Sequence, residues 1–121
     1  MVLVAVDDLL FSSKIRATAK QAGVDLAFAR SSGEIIEQAR ALRPVLVIFD
    51  LNSGKTDPIA TIAALKGDPS LASIRTIGFA SHVHTALITA ARQAGADQVL
   101  PRSAFAGTLA EILTSAGNSP S

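Results

Sequence analysis

Residues Val45–Asp50 read VLVIFD, preceded by Pro44 and followed by Leu51–Asp57, LNSGKTD. Five consecutive apolar side chains ending at an acid, with turn-forming residues on both sides, predict a strand buried on both faces. Such a strand lies inside a parallel sheet, and its carboxyl end opens on the edge where open α/β sheets bind ligands. Asp50 at that edge is either a chemical group or a cap for the following loop, and these residues alone leave both open.

The flanking sequence has the same character. Val2–Val6, VLVAV, is a second apolar run, and it too ends in acids, Asp7 and Asp8. From Leu9 the period changes to that of a helix, with Phe11, Ile15, Thr18 and Ala22 on one stripe and Gly23 in the C-cap position. Val24–Ala29 predicts a half-buried edge strand. Ser31 with Glu34 three residues on fits a capping box, and a helix with Ile35, Ile36, Ala39 and Leu42 inward runs to Arg43-Pro44. Asp57-Pro58 predicts the next helix start, with Ile59, Ile62 and Ala63 buried. Thr76–Phe79 is the fourth strand. Val83, Leu87, Ala90 and Ala94 mark the fourth helix, closed by Gly95. Val99-Leu100 is a short fifth strand. Ser103 is the expected N-cap of a last helix with Phe105, Leu109 and Ile112 inward.

Five strands alternating with five helices predict a parallel sheet with right-handed crossovers and helices on both faces. With 121 residues and no composition break, one domain is expected over residues 1–116, with 117–121 as a disordered tail. A net charge of +1 gives no electrostatic case for nucleic acid or an anionic membrane. The absence of cysteine excludes disulfides and thiolate metal sites. No apolar run reaches the roughly 18 residues of a membrane span, and the acidic N-terminus is no signal peptide. A cytoplasmic location is expected.

Asp7, Asp8 and Asp50 are predicted to share one edge if the first and third strands are neighbours. Clustered carboxylates repel unless a cation joins them, and a hard, oxygen-seeking ion such as Mg²⁺ is the usual solution. Such an ion would also screen an incoming phosphoryl group. The runs VLVAVDDLLFSSKI, PVLVIFDLNSG and AGADQVLPRS, at Val2–Ile15, Pro44–Gly54 and Ala94–Ser103, resemble the receiver domains of two-component response regulators, the single-domain chemotaxis type above all. The resemblance spans about residues 2 to 116. It implies a flavodoxin-like, doubly wound five-stranded sheet of order 2-1-3-4-5. It implies that Asp50 accepts a phosphoryl group, that Asp7 and Asp8 hold Mg²⁺, and that Asn52 adds its backbone carbonyl to the ion. It further implies a histidine kinase or phosphotransfer protein as donor. The surface of the fourth helix, fifth strand and fifth helix would contact an output protein or a second copy of the chain. The implied role is binding and phosphoryl acceptance, not turnover. The chain ends with the fifth helix, so a stand-alone protein or a piece of a longer one is expected.

Two positions depart from the receiver pattern. The hydroxyl residue expected after the fourth strand is Ala80, with Ser81 one residue later. A one-residue shift in extended chain turns a side chain to the opposite face, so Ser81 is either a displaced hydroxyl or the N-cap of the next helix. The lysine–proline pair expected after the fifth strand is Arg102-Ser103. Arginine keeps its charge and offers a planar fork suited to carboxylate, so Arg102 either pairs with Asp50 or is a surface residue. Without the proline there is no reason for a cis peptide at that bond. Val99, at the position usually filled by a mobile aromatic, has no comparable swing. These departures leave two functions open: an atypical phosphoacceptor, or a pseudo-receiver that binds partners without phosphorylation.

The remaining motifs are weak. Gly54-Lys55-Thr56 resembles the end of a phosphate loop, but Phe49 stands where its first glycine belongs. His82 and His84 fall on different helix faces with no third ligand.

Overall fold

The computed structural model describes residues 1–81 and 83–117. The strands are β1 (Val2–Ala5), β2 (Leu26–Phe28), β3 (Leu46–Asp50), β4 (Arg75–Ala80) and β5 (Gln98–Pro101). The helices are α1 (Leu9–Ala22), α2 (Ser32–Leu42), α3 (Pro58–Gly67), α4 (Thr85–Ala94) and α5 (Arg102–Gly117). All neighbouring strands are parallel, in the order β2-β1-β3-β4-β5. His82 and residues 118–121 lie outside the described residues; of the tail expected over 117–121, Gly117 instead belongs to α5.

The period-2 pleat divides the core. Leu3, Ala5, Val47, Phe49, Ala80 and Val99 face one side, against Ile35 and Ala39 of α2, Ile62 and Leu65 of α3, and Ala91 of α4. Val2, Val4, Leu46, Ile48, Ile77 and Phe79 face the other, against Ile15 and Ala19 of α1 and Phe105, Leu109 and Leu113 of α5. Central β3 is buried along its whole length, as its unbroken apolar run requires.

Helix ends follow local chemistry at several points. Gly23 and Gly95 both close their helices with left-handed φ values of 71° and 108°. Ser31 Oγ accepts from Glu34 N–H at 3.1 Å. The reciprocal half of the capping box is missing, because the Glu34 carboxylate accepts from Gln38 instead.

Other boundaries depart from expectation. Asp57 holds the N-cap position with left-handed backbone (φ 42°) but makes no side-chain cap bond. Helix α4 starts at Thr85, so Ser81 is not its N-cap; the Ser81 carbonyl accepts from His84 N–H in a preceding turn. Helix α5 starts at Arg102, which puts Ser103 in its first turn. The buried stripes of α1, α3 and α4 use Ala19, Leu65 and Ala91, while Ala22 and Ala63 are exposed and Ala90 is half-buried. No cis peptide occurs among the described residues.

Candidate functional site

The register of the sheet assembles one edge. Ala5 pairs with Phe49, Asp50 with Phe79, and Ala80 with Pro101. The carboxyl ends of β1, β3, β4 and β5 therefore deliver Asp7 and Asp8, Asp50, Ala80 and Ser81, and Arg102 to the same end of the molecule. Leu51 packs over Gly78, where an added Cβ would meet Leu51 Cδ2 at 2.9 Å. Its N–H also donates to the Phe79 carbonyl, so the loop after Asp50 is fixed by β4.

Asp50 is 5% exposed. Its Oδ1 accepts from Asn52 N–H at 2.9 Å, and Arg102 Nη2 lies 3.8 Å from the same oxygen. That separation is an ion pair without a hydrogen bond. Burial pushes the Asp50 carboxyl above its ordinary value; the Asn52 N–H and the Arg102 charge oppose this, and the charges of Asp8 and Asp7 add to it.

Each of the other two acids is held by a bond of its own. Asp8 is the N-cap of α1, its Oδ1 accepting from Leu10 N–H at 2.9 Å and Phe11 N–H at 3.1 Å. Asp7 Oδ2 accepts a hydrogen bond from the Ser53 hydroxyl. Asp7 and Asp8 thus act on Asp50 through charge, while no three acid or histidine side chains among the described residues converge on one metal position. The donor chemistry is nevertheless that of a hard divalent cation: three carboxylates and the Asn52 carbonyl on one edge. Each of these bonds uses one oxygen of its carboxylate, Asp8 Oδ1 and Asp7 Oδ2.

Arg102 has a second set of contacts. Its guanidinium carbon lies 5.6 Å from the Phe11 ring centroid and 5.8 Å from that of Phe79. Those rings stack with Phe105, Phe79 and Phe105 at 4.5 Å and Phe11 and Phe79 at 4.8 Å. Cation–π attraction of about 0.5–1 kcal/mol at a part-exposed site helps hold Arg102 across the end of β4. Its Nε is buried without a hydrogen-bond partner. With Ser81, Ser103 and Ala106, Arg102 lines a pocket of about 390 Å³. Ala80 is fully buried in the core. The Ser53 bond and the Phe11–Phe79 support had no sequence signal, because each partner lies on a distant segment.

No family profile matches the chain, and no curated protein does. Solved structures do. A response regulator from Hahella chejuensis has a TM-score of 0.84 at 18% identity, over 97% of this chain and 94% of that one. The receiver domain of a signal transduction histidine kinase from Syntrophus aciditrophicus gives 0.79 at 20%, over 99% and 93%. Response regulator Rcp1 in its Mn²⁺-bound form gives 0.71 at 19%, over 93% and 88%. The chain therefore has the fold of response-regulator receiver domains over nearly its whole length.

Proposed function

We propose that this domain is a two-component signalling receiver in which Asp50 accepts a phosphoryl group. The observation that carries the reading is Asp50 itself: a buried carboxylate at the end of the central strand, anchored by Asn52 N–H and faced by Arg102. In the reaction an Asp50 oxygen attacks phosphorus, and an O–P bond forms. The donor's phosphorus–nitrogen bond breaks, and its imidazole leaves with the electron pair. Arg102, with its fixed charge and planar fork, would pair with the new phosphoryl oxygens. Asp7, Asp8, Asp50 and the Asn52 carbonyl would hold Mg²⁺, which supplies positive charge to offset that of the incoming group. A divalent ion suits this edge because three acids share it, and the Mn²⁺-bound state of Rcp1 supports the assignment.

The donor in this reading is a histidine kinase or phosphotransfer protein in the cytoplasm. Phosphorylation would alter binding on the α4–β5–α5 surface, to an output protein or to a second copy of the chain. No helix among the described residues is long and apolar enough to cross a membrane. The test is a mass measurement after incubation with a small phosphodonor and Mg²⁺. One phosphoryl mass is expected on the wild type and none on Asp50→Asn.

A specific observation favours a second reading, a pseudo-receiver that binds partners without phosphorylation. Arg102 already stands beside Asp50, Ala80 offers no hydroxyl, and Asp7 and Asp8 are engaged elsewhere. An unphosphorylated wild type that binds no Mg²⁺ would leave this second reading in place.

A further inference from the structure

We propose that the cleft between α1, the β2–α2 connection and the β3–α3 loop is a binding site for a small phosphate-bearing anion. The cleft holds about 380 Å³ and is lined by Arg16, Arg30 and Lys55, with Ser13, Phe28 and Asp7 among its other walls. That volume lies within the range of small-ligand sites. The three cations come from three segments far apart in sequence, so their meeting is a product of the fold and not the solvated face of one helix.

Two features of these cations bear on binding. Among the described residues the ion pairs are Arg40–Asp68, Lys66–Asp97 and Arg102–Asp50, and none involves Arg16, Arg30 or Lys55. Arg43 and Arg75 are also engaged, by the Ser70 carbonyl and by Gln98. The cleft thus gathers three uncompensated cations against one carboxylate, and that carboxylate, Asp7, is bonded to Ser53. Arg16 is held in advance, its guanidinium 4.4 Å from the Phe28 ring centroid. A guanidinium fixed on a ring loses little freedom when its N–H groups meet a phosphate, and two arginines with one lysine match a doubly charged oxyanion. The proposal does not rest on Asp50 accepting a phosphoryl group.

The test is calorimetric titration of the full chain at physiological ionic strength, with pyrophosphate as the first probe. One saturable site is expected. Arg30→Gln and Lys55→Gln, both at exposed positions, should each weaken it by about tenfold or more. Arg92→Gln, an exposed cation on α4, should leave it unchanged, as should Asp50→Asn. Inorganic phosphate and adenosine monophosphate form the second arm. Tighter binding of the nucleotide supports an organic phosphate, and equal binding supports the free anion as occupant of the same site. Absence of saturable heat overturns the proposal. So does equal weakening by Arg92→Gln, which would mean diffuse charge attraction, or markedly tighter binding in Asp50→Asn, which would place the anion beside that carboxylate.

Discussion

Two aspartates at opposite ends of the sheet are treated in opposite ways. Asp97 stands just before β5, at the end where the strands begin, and its carboxylate is well supplied with donors. It accepts from Lys66 Nζ at 2.8 Å, from Thr76 N–H at 2.8 Å and from the Thr76 hydroxyl at 3.2 Å. Burial alone would raise its carboxyl, but these donors outweigh burial and hold it below the ordinary value. Asp50, at the end where the strands finish, is more deeply buried, receives one backbone hydrogen bond and has its cation 3.8 Å away. Its carboxyl is held above the ordinary value. One edge is satisfied and structural. The other keeps a charge under-solvated, which is the arrangement expected of a group that reacts or binds.

Removing the satisfied end should have the largest effect. Lys66 bridges Asp97 and the Ala72 and Ile74 carbonyls, and its stem occupies the space where a Cβ on Gly95 would stand. Asp97→Ala leaves Lys66 and the part-buried Thr76 N–H short of an acceptor, at a cost of about 1–1.5 kcal/mol once solvent screening of the exposed ion pair is allowed for, read by urea denaturation. The carboxylate's share of stability is present above the unfolded pKa, because the folded pKa is depressed, and is lost as pH falls through the folded value. The gap between wild type and Asp97→Ala should therefore close in acid. A gap that stays constant with pH would mean that the Asp97 side chain acts by packing alone.

The opposite sign is expected at the other end. For Asp50 the folded pKa is raised, so the stability linked to its proton is full below the unfolded value and is lost as pH rises through the folded one. Asp50→Asn keeps an acceptor for Asn52 N–H and removes the buried charge. It should raise the melting temperature by a few degrees near neutrality, with the gain vanishing in acid. A melting temperature that falls at neutral pH would show that Asp50 is held chiefly by the attraction of Arg102, and the contrast between the edges would fail.

The sequence showed these two edges unequally. Asp50 was legible because an unbroken apolar run fixes β3 and its last residue marks the edge. Gly23 and Gly95 were legible because left-handed caps favour glycine. Asp97 was not, since its partners Lys66 and Thr76 lie 31 and 21 residues away and no local pattern joins them. The starts of α4 and α5 were misplaced because Ser81 and Ser103 each satisfy the cap preference while the backbone turns elsewhere. The acid trio was legible as a shared edge, but the direction of each carboxylate was not. Asp8 has the composition of a metal ligand and the position of an N-cap, and in this structure the cap takes its side chain.

The smallest effect is expected from Arg102→Gln, and it bears most directly on how the Asp50 edge is balanced. Arg102 is 39% exposed at its side chain and touches Asp50 only at 3.8 Å, so solvent screening limits the pair to below about 1 kcal/mol of stability. Its electrical effect on Asp50 is larger than its contribution to folding, because the low-polarity side of the contact is Asp50 itself. Without Arg102 the carboxyl loses one of the two influences that lower its pKa, and the Asp50 titration followed by carboxyl NMR should move further upward. Arg102→Lys keeps the charge but gives up the guanidinium's approach to the Phe11 and Phe79 rings, and should restore the titration only in part. An Asp50 titration unchanged in Arg102→Gln would leave burial and the Asn52 N–H as its sole controls, and Arg102 would then belong to the aromatic stack and the adjoining pocket alone.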